Sequence, residues 1–124
     1  MEAEVVSFFE KSPGALPLCE AVRTMIRADF PDATVKVQKT QITFANRHGF
    51  ACVSLPRRKA KGRPEACVIL TFGLNYRVDD ERIWQSAEPY PRRWTHHVIL
   101  RSAEEVDAQI REWVREAYHF ATSK

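Results

Sequence analysis

The chain has 124 residues, of which 44% are hydrophobic and 28% charged, and a formal net charge of +3. That balance is that of a soluble globular protein and excludes a disordered chain, and the length suits one domain over residues 1–124 that buries about two thirds of its unfolded surface. No apolar run approaches the roughly 20 residues of a membrane helix and no charged-then-apolar leader opens the chain, so no membrane association and a cytoplasmic location are expected.

Residues 2–10 (EAEVVSFFE) predict a short helix with Val5, Phe8 and Phe9 on one face, broken by Ser12-Pro13-Gly14. A second helix runs to about Asp29 with Leu18, Val22, Met25 and Ile26 as its buried stripe. Pro17 lacks an N–H and fits only the first turn, so regular helix begins near Leu16. Phe30-Pro31-Asp32 ends it.

The period then changes from helical to alternating. Thr34 to Gln38 turns Val35 and Val37 inward, and Gln41 to Ala45 turns Ile42 and Phe44 inward. Asn46-Arg47-His48-Gly49 reads as a tight hairpin turn, with Gly49 supplying a positive φ. The strand Phe50 to Leu55 has two registers open to it. One sets Ala51 and Val53 beside Phe44 and Ile42; the other, slipped by one residue, turns Phe50 and Cys52 inward. Ala66 to Phe72 is, like that strand, apolar on both faces, which predicts central positions for the two with both faces at least partly covered.

Between these strands lies PRRKAKGRPE. Arg57, Arg58, Lys59, Lys61 and Arg63 carry five of the positive charges, and without them the net +3 becomes −2. Residues 74–93 look irregular but hold Leu74, Tyr76, Val78, Ile83, Trp84 and Tyr90, too much aromatic surface for a solvated linker, so this loop is expected to pack over the sheet. Thr95 to Leu100 is the fifth strand. After it, Ser102-Ala103-Glu104-Glu105 matches a capping box, and Val106, Ile110, Trp113, Val114 and Ala117 form the apolar stripe of a last helix. The order predicts an α+β domain: a mainly antiparallel sheet of about five strands, with two N-terminal helices and one C-terminal helix packed on it.

The segment Trp94-Thr95-His96-His97, continuing through Ile99, Leu100, Ser102, Glu104, Glu105, Val106 and Asp107, resembles the end of an uncharacterised bacterial domain family of unknown function. Its members close on a run like Arg115-Glu116-Ala117-Tyr118. The likeness extends through Glu88-Pro89-Tyr90-Pro91 with Arg93, through Lys39-Thr40-Gln41-Ile42 with Phe44, and into the helix after Ser12-Pro13. It implies a small α+β domain, found alone or fused to others, with no established activity. The basic run is not part of the pattern.

Adjacent strand residues point to opposite faces, so His96 and His97 cannot chelate one metal together, and no spacing of His48 or His119 builds a metal site. If Val98 and Leu100 face the core, His96 is expected at its margin, bonded to a tyrosine hydroxyl or a backbone carbonyl. Arg82, Trp84, Tyr90, Arg93 and Trp94, leading into His96, combine guanidinium groups with aromatic faces, as a site for an anionic or aromatic ligand requires. Against this, the aromatics alone could anchor the loop while the arginines stay solvated. Lys39 and Gln41 would join such a site only if the loop folded across their strand face.

Enzyme signatures are missing: there is no G-x-S-x-G, no phosphate-binding glycine loop and no H-E-x-x-H. The nearest acid–base set would be Asp79, Asp80 or Glu88 beside His96. Cys19, Cys52 and Cys67 lie among apolar neighbours without C-x-x-C spacing and read as small buried hydrophobes; no Cys52–Cys67 bridge is expected in a reducing compartment.

The leading expectation is a non-catalytic binding module, without cofactor or metal, whose site lies between the long loop and the last strand. Arg82, Tyr90, Arg93, Trp94 and His96 would line it, for a small molecule or a protein partner. The alternatives are an interaction domain that dimerises or docks through an uncovered sheet face, and nucleic-acid binding through Arg57, Arg58, Lys59, Lys61 and Arg63.

Overall fold

Apolar residues alternate at Val35 and Val37 and, after a polar turn, again at Ile42 and Phe44, and the chain there forms a hairpin of β1 (Thr34–Val37) and β2 (Gln41–Ala45). Four more strands, β3 (Gly49–Ser54), β4 (Val68–Leu74), β5 (Gln85–Tyr90) and β6 (Arg93–Leu100), complete one antiparallel sheet in the order β1-β2-β3-β4-β6-β5. The structure, a computed structural model, describes residues 7–9, 13–55 and 67–123. Within them are two α-helices, α1 (Leu16–Asp29) and α2 (Ala108–Ser123), and short 3-10 turns at Pro13–Ala15 and Ala103–Glu105. The class is α+β, as expected, and β3 and β4 are central. The helix expected over residues 2–10 lies largely outside the described residues, as does the basic run from Arg57 to Arg63.

The sheet has six strands rather than five. Gln85–Tyr90 is nearly all exposed, so it carries no alternation for a sequence reading to detect. It is a strand because β6 supplies its backbone partners, with Gln85 opposite His97, Ser86 opposite His96 and Ala87 opposite Thr95. Pro89 is tolerated because β5 is an edge. The β5–β6 turn places Arg92 at φ 63°, a left-handed conformation that side chains disfavour.

The β2–β3 hairpin settles the register. Phe44 faces Ala51 and Ile42 faces Val53, but a bulge beside Ala45 inserts Phe50, which is buried as well. Both expected inward sets therefore contribute, except that Cys52 turns to the other face. Gly49 is not in the left-handed region expected for it. Its small size serves packing instead, because a Cβ there would stand 3.2 Å from Thr43 Cγ2.

One hydrophobic cluster joins Leu18, Val22 and Ile26 of α1 and Ile110, Trp113, Val114 and Ala117 of α2 to a single sheet face, carrying Ile42, Phe44, Val53, Leu70, Phe72 and Val98. Met25 of the expected α1 stripe is only half-buried. The Glu105 carboxylate reaches back to the backbone N–H of Ser102 at 3.0 Å, as the capping box predicts, but it closes only a 3-10 turn. The true cap of α2 is Asp107, whose Oδ1 accepts the Ile110 N–H at 3.2 Å. The helix thus starts at Ala108, later than the apolar stripe beginning at Val106 implies.

On the opposite face, Lys36, Thr43, Cys52, Thr71, His97 and Gln85 stand directly across all six strands in one row. Neither described helix packs there, so the doubly apolar reading of β3 and β4 does not extend to helices on both sides. The cysteines are free, and burial pushes the Cys19 thiol up to about 12.

Candidate functional site

The connection from β4 to β5, residues 75–84, determines where a ligand could sit. It leaves β4 after buried Leu74, tucks Val78 and Ile83 against the core and exposes Tyr76 and Trp84. Polar contacts fix each end. Tyr76 donates its hydroxyl to Glu116 of α2 at 2.8 Å, and the Trp84 N–H donates to the His97 carbonyl at 2.8 Å. Between them, Asp80 Oδ1 accepts the Arg82 N–H at 2.8 Å, a local turn contact.

The candidate residues go to different places. Arg82 turns towards α2, donating Nη1 to both Asp107 oxygens at 3.0 and 3.1 Å and Nη2 to the Glu105 carbonyl at 2.9 Å. Its guanidinium also lies 6.0 Å from the Trp113 ring centroid. Tyr90, 64% exposed, and Arg93 face each other at the tip of the β5–β6 hairpin. Trp94, half-buried, is paired with Leu74.

His96 is fully buried. Its Nε2 accepts the Val78 N–H at 2.9 Å and its ring stacks on Phe72, centroids 5.1 Å apart. Nδ1 has no hydrogen-bond partner. Because an N–H can meet only a lone pair, Nε2 carries no proton and the neutral ring holds it on Nδ1. Burial lowers the pKa of His96, with the Phe72 backbone acting in the opposite direction. His97, on the other face, bonds Thr71 Oγ1 through Nδ1 at 2.8 Å, and burial lowers its pKa too. Beside it, burial raises the Cys52 thiol despite an opposing hydrogen bond from Thr71, which leaves it protonated and a poor nucleophile.

Two clefts flank Trp84, whose side chain is 46% exposed and lines both. One, of about 290 Å³, lies over Val78, Asp79, Asp80 and Ser86. The other, of about 320 Å³, runs between the loop and β6 over Glu81, Arg82, Ile99, Arg101 and Glu105. Neither takes in all five expected site residues: Arg82 lines the second, and His96 touches the first only through Val78. Arg101, Glu81 and Ile99 escape a sequence reading, since a charged residue after an apolar strand carries no signal of its own. Lys39 and Gln41 lie at the far end of the sheet, where Gln41 bonds Thr43 at 3.0 Å. Of the acid–base set, Glu88 accepts the Arg92 N–H at 3.3 Å in the hairpin turn, and it is Val78, not a carboxylate, that meets His96. Among the described residues no three His, Cys, Asp or Glu side chains stand together as metal ligands, and no helix is long and apolar enough to cross a membrane.

A family model described as a domain of unknown function (DUF5655) matches residues 5–121. No curated protein and no solved structure matches the chain.

Proposed function

The chain belongs to that family of unknown function, and from this premise we propose that it is a non-catalytic binding module for a ligand carrying a flat ring and a negative charge. The observation that supports this reading is the cleft of about 320 Å³ between the loop and β6, within the size range of small-molecule sites. In it, Trp84 offers an aromatic wall, Ile99 an apolar one and Arg101 a cation. Arg101 makes no side-chain ion pair among the described residues, unlike Arg82, which Asp107 engages. Arg101 therefore captures the anion while Arg82 holds the wall in place. Tyr90 and Arg93, at the hairpin tip, would extend the site only for a ligand longer than the cleft.

An NMR titration with adenosine monophosphate tests this, with adenosine and inorganic phosphate as the separate halves. Saturable shifts at the Trp84 indole and the Arg101 amide are expected, largest for the nucleotide. Arg101→Gln should weaken binding about tenfold, the scale of one charge-assisted hydrogen bond. Without saturation at either group up to about 10 mM, weaker than any specific affinity in the usual range, the reading fails.

Self-association through the opposite sheet face is the weaker reading. Its central row is Lys36, Thr43, Cys52, Thr71, His97 and Gln85, more polar than the faces obligate dimers bury. Nucleic-acid binding rests on Arg57, Arg58, Lys59, Lys61 and Arg63, outside the described residues.

A further inference from the structure

We infer that His96 is a proton-operated latch: while its ring is neutral, Nε2 holds the Val78 N–H, and protonation releases the loop that walls the binding cleft. The consequence for binding rests on the cleft reading above, whereas the latch itself rests only on the geometry of His96 and Val78.

The ring is fully buried and its bond to the loop is a backbone N–H at 2.9 Å. A proton on Nε2 would set one donor against another at that distance, so the bond cannot survive protonation. The ring has no second hold on the loop: Nδ1 meets no loop group, and the backbone that acts on the ring, at Phe72, belongs to β4. Nor does a neighbouring acid stabilise the charged form. Burial chiefly opposes a charge on the ring, the Phe72 backbone favours one, and His97 on β6 and Arg77 in the loop add to the opposition. The cross-strand partners, Phe72 on β4 and Ser86 on β5, carry no charge. Helix α2 approaches through Trp113, which stacks on Phe72, while its Glu112 and Glu116 act on the Tyr76 hydroxyl. In the loop itself, Asp80 is engaged by the Arg82 N–H.

Val78 is therefore the point at which one proton acts on the structure. The loop it anchors reaches Trp84, the wall of both clefts. Two other contacts, Tyr76 with Glu116 and Arg82 with Asp107, keep the loop attached to α2. Release thus loosens the segment around Val78 without detaching its ends.

The test is the exchange protection of the Val78 amide between about pH 7.5 and pH 5, read with the His96 ring nitrogen shifts. Protection should fall up to about tenfold per pH unit below 6.5, the limit for one proton, until the folded ring titrates. His96→Gln should make it independent of pH, because an amide oxygen accepts the N–H at any pH. His97→Gln should leave the dependence in place. Wild-type protection that ignores pH, or a His96→Gln variant that keeps the full dependence, overturns the latch. If that variant does not fold, the wild-type ring shifts decide: a protonated ring beside a still-protected Val78 amide overturns it equally. Nucleotide binding is titrated separately at about pH 7.5, where the latch is closed. Failure there removes the binding reading alone, and a pH-indifferent Val78 removes the latch alone.

Discussion

At Arg82 the guanidinium meets two Asp107 oxygens, the Glu105 carbonyl and the face of Trp113 at once. Three contacts made by two separate guanidinium nitrogens need the fork of an arginine, and a lysine would keep the charge but not the geometry. Arg82→Lys should therefore lose most of the roughly 1–2 kcal/mol that Arg82→Ala loses in urea unfolding. If lysine fully restores stability, charge alone accounts for the contact. Arg92 presents the opposite case, a side chain where the backbone favours none. With φ at 63°, Arg92→Gly relieves a cost of about 1–2 kcal/mol against a smaller loss of chain entropy. A small gain in the unfolding midpoint is expected, and a loss would show that the Arg92 side chain holds the turn.

At the scale of elements, α2 shows local chemistry and tertiary contact acting on one residue. Asp107 caps the helix through Ile110 and also receives Arg82. Asparagine keeps the cap and loses the ion pair, whereas alanine loses both, so Asp107→Ala should cost about 1 kcal/mol more than Asp107→Asn. Equal losses would mean the cap contributes nothing. Deeper in the same helix, Trp113 is buried against Phe72 and its indole shares a face with Arg82. Removing it should cost roughly 3–5 kcal/mol. A loss below about 1 kcal/mol would contradict its packing. Towards the C-terminal end of the helix Phe30 and Tyr118 stack with centroids 4.0 Å apart, and near its start Arg111 pairs with Asp29, so α1 and α2 are joined by both rings and charges.

Across the whole molecule the pH dependence should have a plateau with losses on both sides. Burial holds His96 and His97 below their ordinary value of 6.5. The unfolded chain then binds protons that the folded one refuses, so stability is intact above 6.5 and falls as pH drops below it. Asp29 is lowered chiefly by its hydrogen bond to Arg111, and Asp107 is lowered too, its bonds to Arg82 and the α2 backbone outweighing burial. Their contribution is present above 3.8 and is lost as pH falls further. On the alkaline side, burial raises the Cys19 thiol and, with Glu116, the Tyr76 hydroxyl, each to about 12. The folded chain keeps those protons longer, so stability falls from about pH 9 upwards. Urea midpoints across the range check this, and a flat profile between pH 7 and about 5 would contradict the histidine assignments.

Local rules were enough to read α1, because Pro17, the stripe from Leu18 to Ile26 and the stop at Phe30 act within a few residues of one another. The same holds for the alternation in β1 and β2, the apolar helix after Ser102 and the central place of β3 and β4. What the chain brings together from a distance was not legible. Gln85–Tyr90 has no pattern of its own and is a strand only because β6 lies beside it. Phe50 and Ala51 could both face inward only through a bulge, which depends on the partner strand. Arg82 looked available for a ligand until Asp107, 25 residues later, was placed against it. In the segment from Trp94 to His97, sequence alone established that adjacent histidines take opposite faces. Only the tertiary structure decided that one is sealed against Phe72 and Val78 while the other bonds Thr71, because burial and hydrogen-bond partners come from strands and loops remote in sequence.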